Sequence, residues 1–251
     1  MSEAAKKRLD QVLVLQGLCE SRARAQSLIE SGAVMLDGQV LSKPSSKVAE
    51  DAALQLTRED HPWVSRGGLK LVGALDAFDC EVSDLVCMDV GSSTGGFTDV
   101  LLHHGARRVF AVDVGRDQLA GRLREDGRVV VMEQTNARHL CAEDFPEARL
   151  PELDLVVCDA SFISLKLVLP KALELVREGG ALLALIKPQF EVGRDRVGKG
   201  GIVRDSALHA ACCEDIKRWL VQEQGWSVRG LRESPITGPD GNREFLIWAC
   251  K

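Results

Sequence analysis

The stretch from Cys87 to Thr98 reads CMDVGSSTGGFT and places a glycine-rich turn between a short apolar run and a helix-like segment. Glycines in such a turn let the backbone approach a ligand closely, and the following helix start offers unpaired N–H groups. The spacing differs from the GxGxxG of dinucleotide-binding enzymes and from the GK[ST] ending of a phosphate-binding loop. The alternative is a structural turn with a helix-capping Ser or Thr. The candidate ligand contacts are Gly91, Ser92, Ser93, Thr94, Gly95, Gly96 and Phe97.

Apolar runs recur on both sides of this turn and are separated by segments of helix length. The runs cover residues 85–90, 109–114, 129–132, 153–158 and 181–186. Continuous apolar runs are typical of a parallel sheet that is covered on both faces. A final helix is predicted at about 206–223, and residues 226–231 and 244–249 could form a terminal antiparallel pair. The sequence therefore predicts an α/β fold with a Rossmann-like sheet.

Polar residues stand where the predicted strands end. Asp113 ends the second strand, 22 residues after Gly91, where a carboxylate can accept hydrogen bonds from ribose hydroxyls. Asn136 follows the third strand and is placed for an adenine contact or for a local structural role, and Asp159 ends the fourth strand. With the glycine turn, these positions resemble the class I methyltransferase arrangement for S-adenosylmethionine, which is the expected cofactor.

Two lysines and two acids fall at the same predicted edge of the sheet. Lys70 follows a Gly-Gly pair, Lys187 ends the fifth strand, and Glu244 opens the last strand, so all three could converge with Asp159. A ribose hydroxyl is a poor acid. A lysine can promote its methylation if a dry site lowers the lysine pKa, or if the positive charge stabilises the developing alkoxide. The alternative is that these four residues are ordinary charged residues on the protein surface.

The N-terminal part of the chain has a different pattern. We predict helices at 6–17 and 22–31, a hairpin of 33–36 and 39–41 around Asp37-Gly38 in a type I′ turn, and a strand at 53–56. Through Val48 there are seven Lys and Arg against five Asp and Glu, whereas the whole chain has a formal net charge of −5. This local excess of positive charge mildly favours RNA contact at the N-terminus.

The segment DHPWVSRGG, residues 60–68, contains Pro and paired Gly and is interpreted as a linker. The predicted organisation is an RNA-binding domain at 1–59, this linker, and a catalytic domain at 69–251.

Residues 6–57 resemble the small α+β (alpha-L) RNA-binding domain named after ribosomal protein S4, on the string RLDQVLVLQGLCESRARAQSLIESGAVMLDGQVLSKPSSKV. In that family the second helix and the hairpin face RNA. The resemblance implies phosphate contacts by Arg8, Arg22, Arg24, Lys43 and Lys47. The alternative is that these are ordinary solvated charges.

The strings SRGGLKL, CDASFISL, IKPQFE and NREFLIW resemble the TlyA family, in which an S4 domain precedes an FtsJ-like methyltransferase domain and which is often labelled haemolysin. The order Lys, Asp, Lys, Glu matches the FtsJ-like catalytic tetrad. The resemblance implies that Lys187 is the central lysine, that Lys70 and Glu244 are its partners, and that Asp159 lies beside the methyl donor. It also implies 2′-O-methylation of cytidine in ribosomal RNA, with ribosomal RNA or ribosomal subunits as the partner.

Composition and missing signals argue against other classes. Eight scattered cysteines without a CxxC pair predict reduced thiols and no metal site, and the absence of a long apolar run predicts a cytoplasmic protein without membrane contact. The string DASF differs from the [DNS]PP[YFW] of base-amino methyltransferases, and Cys158 lacks the preceding Pro of cytosine C5 enzymes. A haemolytic or pore-forming protein, an NAD-dependent oxidoreductase and an inactive RNA-binding scaffold stay as alternatives.

A basic, glycine-rich segment follows Lys187, and it is interpreted either as a loop that orders on RNA or as a flexible connection. Its glycines and cations are Gly193, Gly198, Gly200, Gly201, Arg194, Arg196, Lys199 and Arg204.

Overall fold

The computed structural model describes residues 6–19, 21–30, 32–57, 61–146, 150–238 and 240–251. By its internal contacts the chain divides into two compact units, Met1–Pro62 and Trp63–Lys251.

The first unit packs two helices against short strands. Its elements are β1 (Lys6–Arg8), α1 (Leu9–Leu15), α2 (Arg22–Glu30), β2 (Val34–Leu36), β3 (Gln39–Val40), β4 (Lys47–Ala49) and β5 (Leu54–Leu56). β2 pairs antiparallel with β3 and β5, and β1 pairs antiparallel with β4. Fully buried Leu9, Leu13 and Ile29 form the centre of its core.

The predicted hairpin is confirmed, because Asp37 and Gly38 both have the positive φ that a type I′ turn requires, 50° and 79°. The predicted start of the first helix is wrong. Residues 6–8 pair with β4 as a strand, and the helix begins only at Leu9, since ladder hydrogen bonds to another segment override local helical spacing. The last residue of the predicted second helix, Ser31, lies outside the described residues.

The second unit is a sheet with helices on both faces. Its helices are α3 (Gly67–Phe78), α4 (Gly96–His103), α5 (Gly121–Arg124), α6 (Leu165–Val168), α7 (Pro170–Glu174), α8 (Pro188–Glu191) and α9 (Ser206–Gln222). Its strands are β6 (Val86–Val90), β7 (Arg108–Val112), β8 (Val129–Met132), β9 (Leu153–Cys158), β10 (Val176–Ile186), β11 (Ser227–Glu233) and β12 (Phe245–Cys250). Helix α3 thus begins inside the segment that was interpreted as a linker.

The seven strands lie in the order β11-β12-β10-β9-β6-β7-β8, and β12 runs antiparallel to its neighbours β10 and β11. From β6 the chain moves outward through β7 and β8 and then returns to β9 on the other side of β6. The direction of winding therefore reverses between β6 and β9. In open α/β sheets, ligands bind beyond the carboxyl ends of the strands at such a point.

The central strands are buried on both faces, which explains their uninterrupted apolar sequence. In β9, Leu155 and Val157 pack on one side of the sheet and Val156 and Cys158 on the other, and all four side chains are inaccessible to solvent. The predicted parallel strands, the final helix and the terminal antiparallel pair are therefore confirmed, with ends shifted by a few residues.

The longest described helix, α9, turns Cys212, Ile216 and Trp219 toward the core. None of the described helices combines the length and the apolar character needed to cross a membrane.

The loop after β6 and the loop after β9 approach each other closely at the switch point, which is the place where the direction of winding reverses. This close approach leads to a test of stability. Gly91 has φ +82°, and an added Cβ would lie 2.8 Å from Ala160 Cα and 3.0 Å from its backbone nitrogen. Because backbone atoms cannot move aside as a flexible side chain can, we expect Gly91→Ala to lower the free energy of unfolding by about 2 kcal/mol in urea titrations.

Gly121→Ala is the matched control, because no atom lies within 4 Å of its added Cβ. This variant should be neutral or slightly stabilised. Equal stability of the two variants would contradict the close approach of the loops.

Candidate active site

A cavity of about 270 Å³ lies at the switch point between β6 and β9. Nine predicted site residues line it: Lys70, Gly91, Ser92, Ser93, Thr94, Gly96, Phe97, Asp159 and Lys187. Six lining residues were not predicted: Ser65, Arg66, Gly67, Asp89, Ser161 and Thr237. Residues that follow three strands (β6, β9 and β10), the start of α3 and the segment before β12 thus contribute to one cavity.

The glycine turn is shaped by close backbone approaches. Gly91 leaves no room for a Cβ beside Ala160, and a Cβ on Gly96 would lie 3.0 Å from the backbone nitrogen of Gly68. The side chain of Ser92 is 5% exposed, and its hydroxyl has no hydrogen-bond partner in the described part of the chain. A buried hydroxyl that lines a cavity without a partner is a candidate ligand contact.

Asp89 is a site residue that the sequence analysis missed. Its side chain is fully buried in β6, and its Oδ2 accepts hydrogen bonds from the Thr98 backbone N–H and hydroxyl at 2.9 and 2.7 Å. Its Oδ1 has no partner among the described residues, and burial raises the pKa of the carboxyl to about 7. The signal was an acid inside an otherwise apolar strand, where an unpaired charge is costly.

Four charged side chains form a continuous chain beside the cavity. Glu244 Oε2 lies 2.7 Å from Lys70 Nζ, which lies 3.5 Å from Asp159 Oδ1. The same oxygen of Asp159 lies 2.7 Å from Lys187 Nζ. The residues come from α3 and from the ends of β9, β10 and β12, so the predicted convergence of the four is present.

This cluster is nearly dry and electrically balanced. Lys70 and Lys187 are each 5% exposed and Glu244 is 1% exposed, so each charge depends on the opposite charge beside it. Lys187 Nζ also donates to the Asp159 carbonyl at 2.9 Å and to the Ser161 hydroxyl at 2.8 Å. An ammonium group has three donors, and all three have an oxygen partner here. Lys187 is therefore held as a fixed positive charge at the cavity wall.

Four predicted residues, Glu244, Gly95, Asp113 and Asn136, do not line the cavity. Glu244 acts through Lys70, whereas Gly95 packs against Leu119 and Leu123. The carboxylate of Asp113 accepts hydrogen bonds from the backbone N–H groups of Ser93 and Gly115. The side chain of Asn136 accepts from the Arg138 N–H and caps the short 3₁₀ turn Ala137–His139.

The basic segment after α8 is hydrogen-bonded to the residues that precede β12. The buried amide of Asn242, which the sequence analysis missed, accepts from the Val203 N–H and donates to the Gly201 carbonyl, both at 3.0 Å. His209 contacts the Val203 carbonyl at 2.8 Å. The exposed cations Arg196 and Lys199 therefore precede an anchored end of the segment.

Cys158 and Phe162 lie on either side of Asp159 in the sequence and differ sharply in solvent exposure. Cys158 is fully buried, and burial raises the pKa of its thiol to about 12, which opposes a nucleophilic role. Phe162 is 90% exposed, has φ +67°, and packs its ring 5.2 Å from that of Phe190. A large exposed aromatic ring in a rarely populated backbone conformation is a candidate for ligand contact.

The first unit brings three of its five predicted cations together. Arg8 and Arg22 both donate to the carboxylate of Asp10, and Lys47 is the cross-strand neighbour of Arg8. Arg24 donates to the His61 carbonyl at 3.1 Å, and Lys43 is exposed in the segment before β4.

Comparison with known proteins assigns this fold and site to a class. Residues 63–251 match the FtsJ-like methyltransferases, and residues 7–54 match the S4 domain. The chain is 48% identical to a Mycobacterium tuberculosis protein named 16S/23S rRNA (cytidine-2′-O)-methyltransferase TlyA, over 98% of this chain and 90% of that protein.

Two further similarities carry another name. Hemolysin A of Brachyspira hyodysenteriae is 37% identical over 95% of this chain and 98% of its own length. A solved Streptococcus thermophilus structure that carries a hemolysin name is 43% identical, with a TM-score of 0.76, and the match covers 99% of this chain and 90% of that one. The chain therefore belongs to the FtsJ-like methyltransferases and, within them, to the TlyA family, so the predicted fold class and family are confirmed.

The raised pKa of Asp89 predicts a pH effect on stability. An unfolded Asp has a pKa near 3.9, so between about pH 4 and pH 7 the folded state binds one more proton than the unfolded state. The contribution of Asp89 is therefore full below pH 4 and is lost as the pH rises through 7. Asp89→Asn stays neutral at every pH and removes this dependence.

Urea unfolding of both proteins from pH 4 to pH 8 measures the effect. The stability of the parent relative to Asp89→Asn should fall by up to about 4 kcal/mol across this range. A constant difference would show that burial does not perturb this carboxyl group.

Proposed function

We propose that the protein transfers a methyl group from S-adenosylmethionine to the 2′-hydroxyl of cytidine in ribosomal RNA. The observation that carries the proposal is the chain of ion pairs from Glu244 through Lys70 and Asp159 to Lys187 at the wall of the switch-point cavity. The ribosomal RNA substrate rests on the Mycobacterium tuberculosis relative, whose name contains this activity.

The cavity has the features that this cofactor needs. Close packing against neighbouring backbone leaves no room for a Cβ on Gly91 or Gly96, and Asp89 Oδ1 and Ser92 Oγ are buried without partners among the described residues. A carboxylate and a hydroxyl of this kind fit the ammonium and carboxylate ends of a methionine group. We assign the cofactor to Asp89 together with the residues predicted from the sequence: Gly91, Ser92, Ser93, Thr94, Gly95, Gly96, Phe97, Asp113, Asn136 and Asp159.

The cofactor supplies an electrophilic methyl group, and the protein supplies position and electrostatics. Lys187 lines the cavity, where its positive charge stabilises negative charge that develops on the ribose oxygen. Asp159 fixes that ammonium through a 2.7 Å contact, while Lys70 and Glu244 fix Asp159 from the other side. Because the group is preorganised and nearly dry, little energy is spent on reorienting charges during the reaction.

The remaining predictions complete the proposal. The first unit binds RNA through Arg8, Arg22, Arg24, Lys43 and Lys47, with ribosomal RNA or a ribosomal subunit as the partner. The proposed domain extents remain 1–59 and 69–251, and the proposed location is the cytoplasm. The complete charged cluster favours an active enzyme over an RNA-binding scaffold. Haemolytic activity is suggested by the names of relatives, and none of the contacts described for this site supports it.

Mass spectrometry of ribosomal RNA tests the reaction. RNA from cells that lack the protein should have lost a 2′-O-methylcytidine, and the parent gene should restore it. Lys187→Met keeps the length of the side chain but removes its charge. It should lower methylation by about a hundredfold or more, because the developing alkoxide loses its partner.

Lys171→Met is the matched control, because this exposed lysine pairs with Glu174 on α7. It should restore methylation fully. Calorimetry should show cofactor binding by both variants, which separates lost chemistry from lost folding. A restored methyl group with Lys187→Met, or a changed base in place of a changed ribose, would refute the proposed reaction.

Phe162 is proposed to stack on an RNA base near the reacting nucleotide. Stacking on an aromatic ring stabilises by about 1–3 kcal/mol, so Phe162→Ala should raise the KM for ribosomal RNA by roughly tenfold, while Phe162→Trp should stay close to the parent. The assay is transfer of a labelled methyl group to unmethylated ribosomal RNA.

Leu167→Ala, which truncates another exposed apolar side chain, should leave the KM unchanged. An equal effect of the Phe162→Ala and Leu167→Ala variants would rule out a specific stacking role.

A further inference from the structure

In the first unit, a fully buried carboxylate collects the side chains that are proposed to meet RNA. Asp10 Oδ1 and Oδ2 accept two parallel hydrogen bonds from Arg8, both 2.9 Å long. Oδ2 also accepts from Arg22 Nη2 at 3.1 Å and from Gln26 Nε2 at 3.0 Å. Of these four contacts, Oδ2 accepts three and Oδ1 accepts one.

The four residues of this cluster come from three separate elements. Arg8 ends β1, Asp10 lies in the first turn of α1, and Arg22 and Gln26 lie on α2. Without the carboxylate, two guanidinium groups would repel each other and would occupy many rotamers. The bonds from Arg8 hold the pKa of Asp10 well below its usual range, so the carboxylate stays charged and the geometry persists.

Both arginines have N–H donors that Asp10 does not use. A guanidinium has five N–H groups; Arg8 uses two toward Asp10 and Arg22 uses one. The side chains of Arg8 and Arg22 are 35% and 56% exposed, and exposed Lys47 neighbours Arg8 across the strand pair. The cluster therefore presents an outward, positively charged edge whose inner side is already fixed.

We propose that Asp10 is a positioning residue that fixes Arg8 and Arg22 for a phosphodiester group of RNA. The inference rests on the proposed function, namely that this unit binds RNA. A guanidinium that is already held in one rotamer by the fold loses little side-chain entropy when it binds a phosphate. The entropic cost of binding is therefore smaller. An acidic residue thereby strengthens the binding of a polyanion.

Removing the carboxylate sets two effects against each other. Asp10→Asn keeps the shape of the side chain and makes the unit more positive by one charge, so electrostatics alone predicts tighter RNA binding and a steeper salt dependence. Loss of positioning predicts weaker binding and a shallower salt dependence, since a phosphate contact is lost. The sign of the change distinguishes the two.

The experiment titrates a fluorescein-labelled RNA hairpin with the full chain at several salt concentrations. We expect Asp10→Asn to weaken binding about fivefold and to reduce the salt slope by about one. In a background that carries Arg8→Gln and Arg22→Gln, the same change should alter the Kd by less than about twofold, because its effect passes through the arginines.

Gln26→Leu controls for general disturbance, because it removes a neutral donor from the same carboxylate and leaves both cations in place. Its Kd should stay within about twofold of the parent. Tighter or unchanged binding by Asp10→Asn would overturn the proposal, as would equal losses with Asp10→Asn and Gln26→Leu. If the variant with both arginines replaced binds like the parent, the RNA contacts of the proposed function fail instead.

Discussion

The carboxylate of Asp159 is the interaction on which the second unit depends. It lies between two lysines that are almost inaccessible to water, and a buried ammonium without a partner would cost several kcal/mol. Glu244 balances the second lysine, so the group as a whole is neutral. All four elements must reach their final places before every one of these charges is compensated. The site and the sheet edge therefore form together.

Charge compensation also explains how an acidic protein can present cations in defined orientations. In each unit, carboxylates hold cations in defined orientations: Asp159 holds the lysines beside the cavity, and Asp10 holds the arginines of the first unit. The net charge of −5 says little about such local order. The orientation of each cation matters more than the total charge of the protein when the cation binds a single phosphate or stabilises a single developing alkoxide.

Much of the second unit could be predicted because its signals are local. Strands buried on both faces need continuous apolar runs, and Gly91 supplies the positive φ of the turn after β6. The same kind of local signal placed the Asp37-Gly38 turn in the first unit. The start of the first helix could not be predicted in this way, because pairing with β4 decided it. Asp89 was missed because one acid inside an apolar run has no periodicity.

The sequence alone determined the succession of the apolar strands along the second unit, the position of the glycine turn and the identity of the four charged residues, since each depends on residue type and near neighbours. The tertiary structure decided which oxygen each lysine meets, that Asp113 and Asn136 bind backbone groups, and that Asn242 anchors the basic segment. These contacts join residues that are distant in the chain or depend on loop geometry. Only the folded backbone sets their distances.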